Sequence, residues 1–353
     1  MEKKTLAENT LKQYSETQTV LNYEPFGDGH INDTFLVKTE NNHFILQRVN
    51  KNVFRTNALV HNYKVFLDYL DTYQQKENVK LTPVILTTLS NNYHIVDEEG
   101  FAWRLAEFIP GTKSYQISSD PAISFKAAEA MGKFQQFLNT LPAEDFEFTI
   151  INYHNPASRL QAFKDALSKA SESLKQLAKS EIDFSLAHQN IVNEYDAVAK
   201  NLPQRVTHND TKLDNMLFYD KGVLVIDLDT VMPSTVLFDY GDMVRTFTSP
   251  AAEDEKDENK VTFRTKHFEA LTKGYLKGLK ESLQPIERDN LLLGARAIIY
   301  EQTLRFLTDY LLGNPYYKVK YREHNLIRTK TQVKLLSAIE QNKTQLQHFI
   351  LSL

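Results

Sequence analysis

Residues Arg205–Val231 read RVTHNDTKLDNMLFYDKGVLVIDLDTV. Two short apolar runs, Met216–Tyr219 and Val223–Leu228, flank Asp220-Lys221-Gly222, whose composition suits a tight turn, so this stretch is expected to fold as a hairpin. His208, Asp210, Asp214 and Asn215 precede it, while Asp227 and Asp229 close it. A hairpin brings its two ends together, so four carboxylates and an amide are expected to converge. Like charges that close repel unless a cation lies between them, and hard oxygen donors suit Mg²⁺ sharing its shell with phosphates.

The spacing narrows the chemistry. Asp210 and Asn215 stand as D-x-x-x-x-N. In that arrangement a phosphoryl-transfer loop uses the Asp to accept a hydroxyl proton and the Asn to hold metal. Asp227 ends the next apolar strand, where a second metal ligand is needed, and Lys212 stands close enough in sequence to touch a transferring phosphoryl group. The plainer reading makes Asp210 and Asn215 turn residues and Asp227 a strand-ending Asx turn. His208 is read as a hydrogen-bonded scaffold residue, because Asp210 is better placed for proton transfer.

Around this island the chain divides into two textures. Before residue 109 it is β-rich: Val20–Phe26, Thr34–Thr39, Phe44–Val49, Thr82–Thr88, Tyr93–Val96 and Ala102–Phe108 alternate or carry β-branched residues. A helical arm over Lys4–Thr19 and a helix over Asn57–Tyr73 accompany these strands. Ile109-Pro110-Gly111 marks a break, after which helical spacing dominates, as over Ser124–Leu138, Pro156–Ala178, Phe184–Ala199 and Glu287–Leu312. The expected organisation is an α+β chain with a β-rich lobe over 1–108 and a mainly helical lobe over 109–353 that carries the catalytic loop.

Composition removes other classes. The 353 residues hold 41 Lys and Arg against 45 Asp and Glu, a net charge of −4, without the positive excess of a nucleic-acid binder. There is no cysteine, which excludes disulfides, thiolate catalysis and cysteine-ligated zinc. No apolar run approaches the roughly 20 residues that span a bilayer. MEKKTLAENT lacks the apolar stretch of a signal peptide, so a cytoplasmic location is expected, with no membrane or nucleic-acid partner.

HNDTKLDN followed by VIDLD resembles the aminoglycoside phosphotransferase and choline kinase superfamily, whose fold is protein-kinase-like. The longer string through VMPS, LFDYGDMVRT and AAEDE, with RFLTDYL at Arg305–Leu311, resembles the bacterial N-acetylhexosamine 1-kinases within it. The resemblance implies ATP and Mg²⁺ as cofactors and a small sugar as substrate. Asp210 would be the catalytic base, with Asn215 and Asp227 on the metal. It makes Gly27-Asp28-Gly29 a phosphate-covering loop and Glu107 part of the adenine hinge. Arg48 takes the strand position where kinases keep the lysine that pairs with phosphates, and Lys212 joins it on the nucleotide. The stretch Lys51–Leu70 after Arg48 offers no Glu to partner it, only Asp68. By resemblance Asp229, Phe247, Arg305 and Tyr317 line the hexose site. Asp239 is read as a scaffold residue capping a helix, and Arg305 is alternatively in an internal ion pair with Asp309. Rival readings keep the fold but change the acceptor to choline, ethanolamine, methylthioribose or an aminoglycoside, or make the Asp cluster a two-metal phosphohydrolase.

Overall fold

The computed structural model describes residues 3–27 and 31–353, with side chains from Thr5 onward. In chain order the elements are α1 (Lys3–Leu11), β1 (Val20–Pro25), β2 (Asp33–Thr39), β3 (His43–Arg48), α2 (Thr56–Glu77), β4 (Ile95–Val96) and β5 (Ala102–Glu107). Then follow α3 (Pro121–Leu138), α4 (Pro156–Lys169), α5 (Glu172–Leu177), α6 (Lys179–Ala187) and α7 (Asn190–Ala199). β6 (Arg205–Thr207), β7 (Met216–Tyr219) and β8 (Gly222–Val225) form the island. The chain ends in α8 (Val236–Phe247), α9 (Thr265–Leu279), α10 (Pro285–Asp289), α11 (Leu291–Leu311), α12 (His324–Gln341) and α13 (Lys343–Ser352).

Two compact units result. The first comprises residues 1–113, 141–151 and 217–233; the second comprises 114–140, 152–216 and 234–353. Segments 141–151 and 217–233 therefore belong to the first unit, although both follow the 108/109 boundary expected from sequence.

The first unit is built on an antiparallel sheet of order β1-β2-β3-β5-β4. Side chains alternate across a strand, and here the two faces have different covers. Phe44, Leu46, Trp103 and Leu105 point to a buried cluster with Leu6, Ala7 and Leu11 of α1. On the other face Gln47 pairs across to Arg104, whose guanidinium lies 4.7 Å from the Tyr63 ring of α2. Thr82–Thr88 does not become a strand; only Ile85 bridges, to Ala106. Pro83 cannot donate to a ladder, which is a sufficient local reason. The β7–β8 hairpin is fastened to this unit by mutual backbone bonds between Phe218 and Lys113 (2.8 and 2.9 Å) and by Val225 N–H to Leu81 O (2.9 Å).

The second unit is helical. Asp120 caps α3 by accepting from Ala122 N–H at 2.7 Å, with Pro121 in the first turn where its missing N–H costs nothing. α11 is apolar on nearly all sides and accordingly central, packed by α4, α7, α8 and α12. The expected helix over Pro156–Ala178 is broken near Ala170, where Ser171 caps a new one by accepting from Leu174 N–H. α8 and α11 approach backbone to backbone: a Cβ on Gly241 would stand 2.6 Å from the Gly294 carbonyl, so neither position has room for a side chain.

Candidate active site

In the second unit β6 delivers the chain into the loop His208–Asn215. His208 is fully buried, and its N–H and that of Asn209 both donate to the Asp239 carboxylate, at 2.9 and 2.7 Å. Thr211 Oγ1 adds a 2.6 Å bond to the Asp239 carbonyl. Asp239 thus grips the loop directly, while α8 is capped by Thr235, which accepts from Leu237 N–H. The expected structural role is there, but as a clamp on the loop and not as a helix cap. Burial pushes the Asp239 carboxyl up to about 6, against the pull of His208 and the two N–H donors. Asn209 is left-handed, with φ of 66°, a conformation costly for a non-glycine residue and held here by its neighbours.

Asp210 follows. Its backbone N–H donates to His208 Nδ1 (3.2 Å), which makes His208 a scaffold residue of the loop. Its carboxylate meets Lys212 Nζ at 3.2 Å and Asn215 Nδ2 at 2.9 Å. Burial would raise its carboxyl, but the Lys212 charge, with His208 and Asn215, outweighs it and holds the group below the ordinary Asp value. It is therefore ionised and oriented at neutral pH, the state a proton acceptor needs. Asn215 spends both amide hydrogens on Asp210, on its carbonyl (2.8 Å) and its carboxylate. Its Oδ1 is left as an acceptor, the donor chemistry a hard cation such as Mg²⁺ takes.

In the first unit Asp227 follows β8 in the left-handed region, φ 62° and ψ 61°. An aspartate held there re-aims its carboxylate relative to the strand before it. Its oxygens are of the kind Mg²⁺ takes, so both expected metal ligands have fitting chemistry. Asp229 does something else. It is 1% exposed; one oxygen accepts from Arg104 and from the Tyr63 hydroxyl (3.1 Å), the other from Asn32 Nδ2 at 2.7 Å. Burial would raise this carboxyl, but Arg104 foremost lowers it below the ordinary value. With its oxygens engaged inside the unit, Asp229 is a brace between Asn32, α2 and the sheet, where a grip on sugar hydroxyls was expected. Within their own units Asp229 faces Arg104 and Asp214 is exposed, and no cluster of three His, Asp or Glu suited to a metal occurs among the described residues.

Arg48 is also committed elsewhere. Strand alternation puts it on the α1 face, beside Trp103 and stacked 3.6 Å from the centre of the Phe101 ring. Its charge is met by Glu99 (2.5 Å) and Asp97 (3.4 Å). Its partners therefore come from the β4–β5 turn, and Asp68 pairs instead with Lys64 (3.0 Å). Glu107 accepts from Lys80 Nζ (2.6 Å) and Val84 N–H (3.2 Å). Gly27 has φ of +77°, which glycine adopts freely. Asp28 and Gly29 lie outside the described residues.

Also within the second unit, Arg305 of α11 stands 5.8 Å from the ring centres of both Tyr153 and Tyr317. It makes no ion pair or hydrogen bond among the described residues. The expected alternative, a pair with Asp309, is absent because Asp309 accepts from Tyr316 N–H (2.8 Å), Tyr317 N–H (3.0 Å) and Asn325. Asp309 thus fixes the Tyr316–Tyr317 turn beside Arg305. Phe247, expected beside it, is fully buried. Tyr153 was not foreseen; it stands beside Arg305 and feels the charges of Asp210 and Lys212 as well. Nothing in the loop NYHNP marks that position in sequence.

Residues 22–269 match the family model described as APH, phosphotransferase enzyme family. The chain belongs to that family. This protein is accordingly a phosphotransferase. The fold is the protein-kinase-like α+β fold expected from sequence. It is similar to an aminoglycoside phosphotransferase from Alicyclobacillus acidocaldarius, with TM-score 0.65 and 12% identity over 97% of this chain and 96% of that one. It is similar also to a spectinomycin phosphotransferase in complex with ADP and spectinomycin, with TM-score 0.63 and 11% identity over 97% and 99%. A microcompartment-associated aminopropanol kinase matches with TM-score 0.63 and 16% identity over 97% and 98%. No helix among the described residues is long and apolar enough to cross a membrane.

Proposed function

We propose that this phosphotransferase acts on the anomeric hydroxyl of an N-acetylhexosamine or related hexose, giving a sugar 1-phosphate. The acceptor oxygen attacks the terminal phosphorus of ATP, its bond to the ADP oxygen breaks, and the hydroxyl proton passes to Asp210. Bound Mg²⁺, held by Asn215 Oδ1 and Asp227, would offset the charge of the phosphates. Lys212 orients Asp210 and lends positive charge beside it, Gly27 begins the turn assigned to the phosphates, and Glu107 belongs to the segment assigned to adenine. Such a transfer depends on positioning and electrostatics more than on covalent chemistry.

The observation that carries the acceptor class is the unpaired Arg305 between Tyr153 and Tyr317. A guanidinium there disfavours a cationic acceptor, and it favours one offering hydroxyl or acetamido oxygens with a ring face for tyrosine to cover. The sequence resemblance to N-acetylhexosamine 1-kinases supports the same class. The test is ATP and Mg²⁺ with N-acetylglucosamine, N-acetylgalactosamine, galactose, choline and aminopropanol, with the product read by phosphorus NMR. A phosphate on C1 of a hexosamine is expected. Turnover confined to the amines, or phosphate on another ring hydroxyl, refutes the assignment.

A further inference from the structure

Next to Asp210's loop, in the second unit, lies a titratable pair that the transfer step does not use. His154 is 5% exposed at its side chain and Glu301 of α11 is fully buried. His154 Nδ1 stands 3.2 Å from Glu301 Oε1, and its Nε2 stands 2.9 Å from the carbonyl of Asn209. A carbonyl only accepts, so Nε2 carries a hydrogen. An ionised carboxylate also only accepts, so Nδ1 carries one too, and the ring is an imidazolium. Its faces are closed by Tyr153 (4.4 Å between ring centres) and by Phe238 (4.9 Å). Glu301 Oε2 finds no hydrogen-bond partner among the described residues, so the imidazolium is what compensates that buried charge.

We propose that His154 is a positioning residue for phosphoryl transfer, its doubly protonated ring holding the strained Asn209 carbonyl and so setting the direction of Asp210. The loop is then gripped on both sides of one peptide: Asp239 takes the Asn209 N–H and His154 takes its C=O. Asn209 has φ of 66°, and the carbonyl bond joins the Asp239 and Thr207 contacts in opposing its relaxation toward ordinary backbone.

The groups facing His154 come from several elements. Glu301 of α11 and Asp239 of α8 favour the charged ring, Arg305 of α11 opposes it, and Tyr153 is its neighbour in the loop. Tyr195 of α7 acts only through Glu301. Burial lowers the ring's affinity for its proton, but the Glu301 bond and charge overcome that and raise it above the ordinary His value. The proton is therefore held to higher pH than on an ordinary histidine and given up as pH rises through the raised value. The ring then has one hydrogen, which the Glu301 carboxylate claims, and a bare Nε2 faces the Asn209 carbonyl.

Two measurements test this. In ¹⁵N-histidine-labelled protein without ligands, the His154 ring, assigned by comparison with His154→Gln, is expected to titrate between imidazolium and neutral imidazole with a midpoint above about 6.5. A midpoint at or below that value overturns the proposal. The second is kcat against pH for wild type and Glu301→Gln, with ATP and N-acetylglucosamine or the acceptor found in the panel above. The variant should lose about ten- to a hundredfold in kcat with the KM for ATP kept, and its alkaline limb should move to lower pH. A superimposable profile overturns the proposal. The ring measurement contains no acceptor, so failure of the hexosamine reading, seen as no wild-type turnover on that sugar, is distinct from failure here.

Discussion

Asp229 separates two accounts of the same residue. If it gripped the acceptor, Asp229→Asn would raise the acceptor KM and leave stability nearly untouched. The structure buries it against Arg104, with Tyr63 and Asn32 on its oxygens. Breaking a buried ion pair from one side leaves an uncompensated charge and costs about 3–5 kcal/mol. Arg104 is 2% exposed and also donates to Gln47 Oε1 at 2.8 and 3.0 Å, so Arg104→Met strands both Asp229 and Gln47. Unfolding entropy is about 2 cal/mol/K per residue, roughly 0.7 kcal/mol/K for the whole chain. A loss of about 4 kcal/mol then lowers Tm by about 5 °C, and by roughly twice that or more if the first unit unfolds alone. The double variant Arg104→Met/Asp229→Asn should be less destabilised than the two singles added together, by about 1–3 kcal/mol. The assay is urea unfolding of all four proteins, with acceptor and ATP KM measured alongside. The lowered carboxyl has its own signature. Its stabilising contribution is present above the unfolded value near pH 3.8 and fades as pH falls through the folded value, so Asp229→Asn should narrow the gap to wild type in acid. An Asp229→Asn protein with wild-type stability and a raised acceptor KM would refute this reasoning.

Three further outcomes follow from the geometry. Asp210→Asn should lower kcat by about 10²–10⁴-fold while ATP affinity by calorimetry stays close to wild type, since the change removes the proton acceptor. Asp239→Asn leaves one of two buried N–H groups, His208 or Asn209, without an acceptor; it should cost about 1–3 kcal/mol in denaturant melts and lower kcat more than KM. Arg48→Met should leave the KM for ATP within about twofold of wild type, because the guanidinium is already engaged by Glu99 and Asp97; a KM rise of tenfold, about 1.4 kcal/mol, would return Arg48 to the phosphates.

The catalytic loop was legible because its chemistry is local. Asp210, Lys212 and Asn215 lie within six residues, and D-x-x-x-x-N dictates a turn that brings them into contact. The fold class was legible from the change of texture near Ile109. What sequence could not supply was which face of a strand looks where. Arg48 and Gln47 are adjacent, yet alternation sends one to the α1 cluster and the other to Arg104, and nothing local says which. The bracing contacts of Asp229 were hidden for a related reason: its partners, Arg104, Tyr63 and Asn32, lie 125, 166 and 197 residues away in the chain. Tyr153 and His154 carried no spacing signal, since their partners lie on distant elements: Arg305 for Tyr153, and a carbonyl and a glutamate for His154.

The glycine contact between α8 and α11 bears on how such a scaffold can diversify. α8 holds the proposed transfer loop through Asp239, and α11 carries Arg305, the proposed acceptor anchor. Gly241 and Gly294 bring the two helices together with no side chain between them that could act as a shim. The gauge from phosphoryl-transfer loop to acceptor anchor is thus set by main chain against main chain. A descendant enzyme meeting a larger or smaller acceptor could not widen or narrow that gauge by trading one side chain for another at the contact. Its freedom lies at the rim, in the loop around Tyr153 and the turn at Tyr316–Tyr317, where substitutions change what is grasped without moving the jaws.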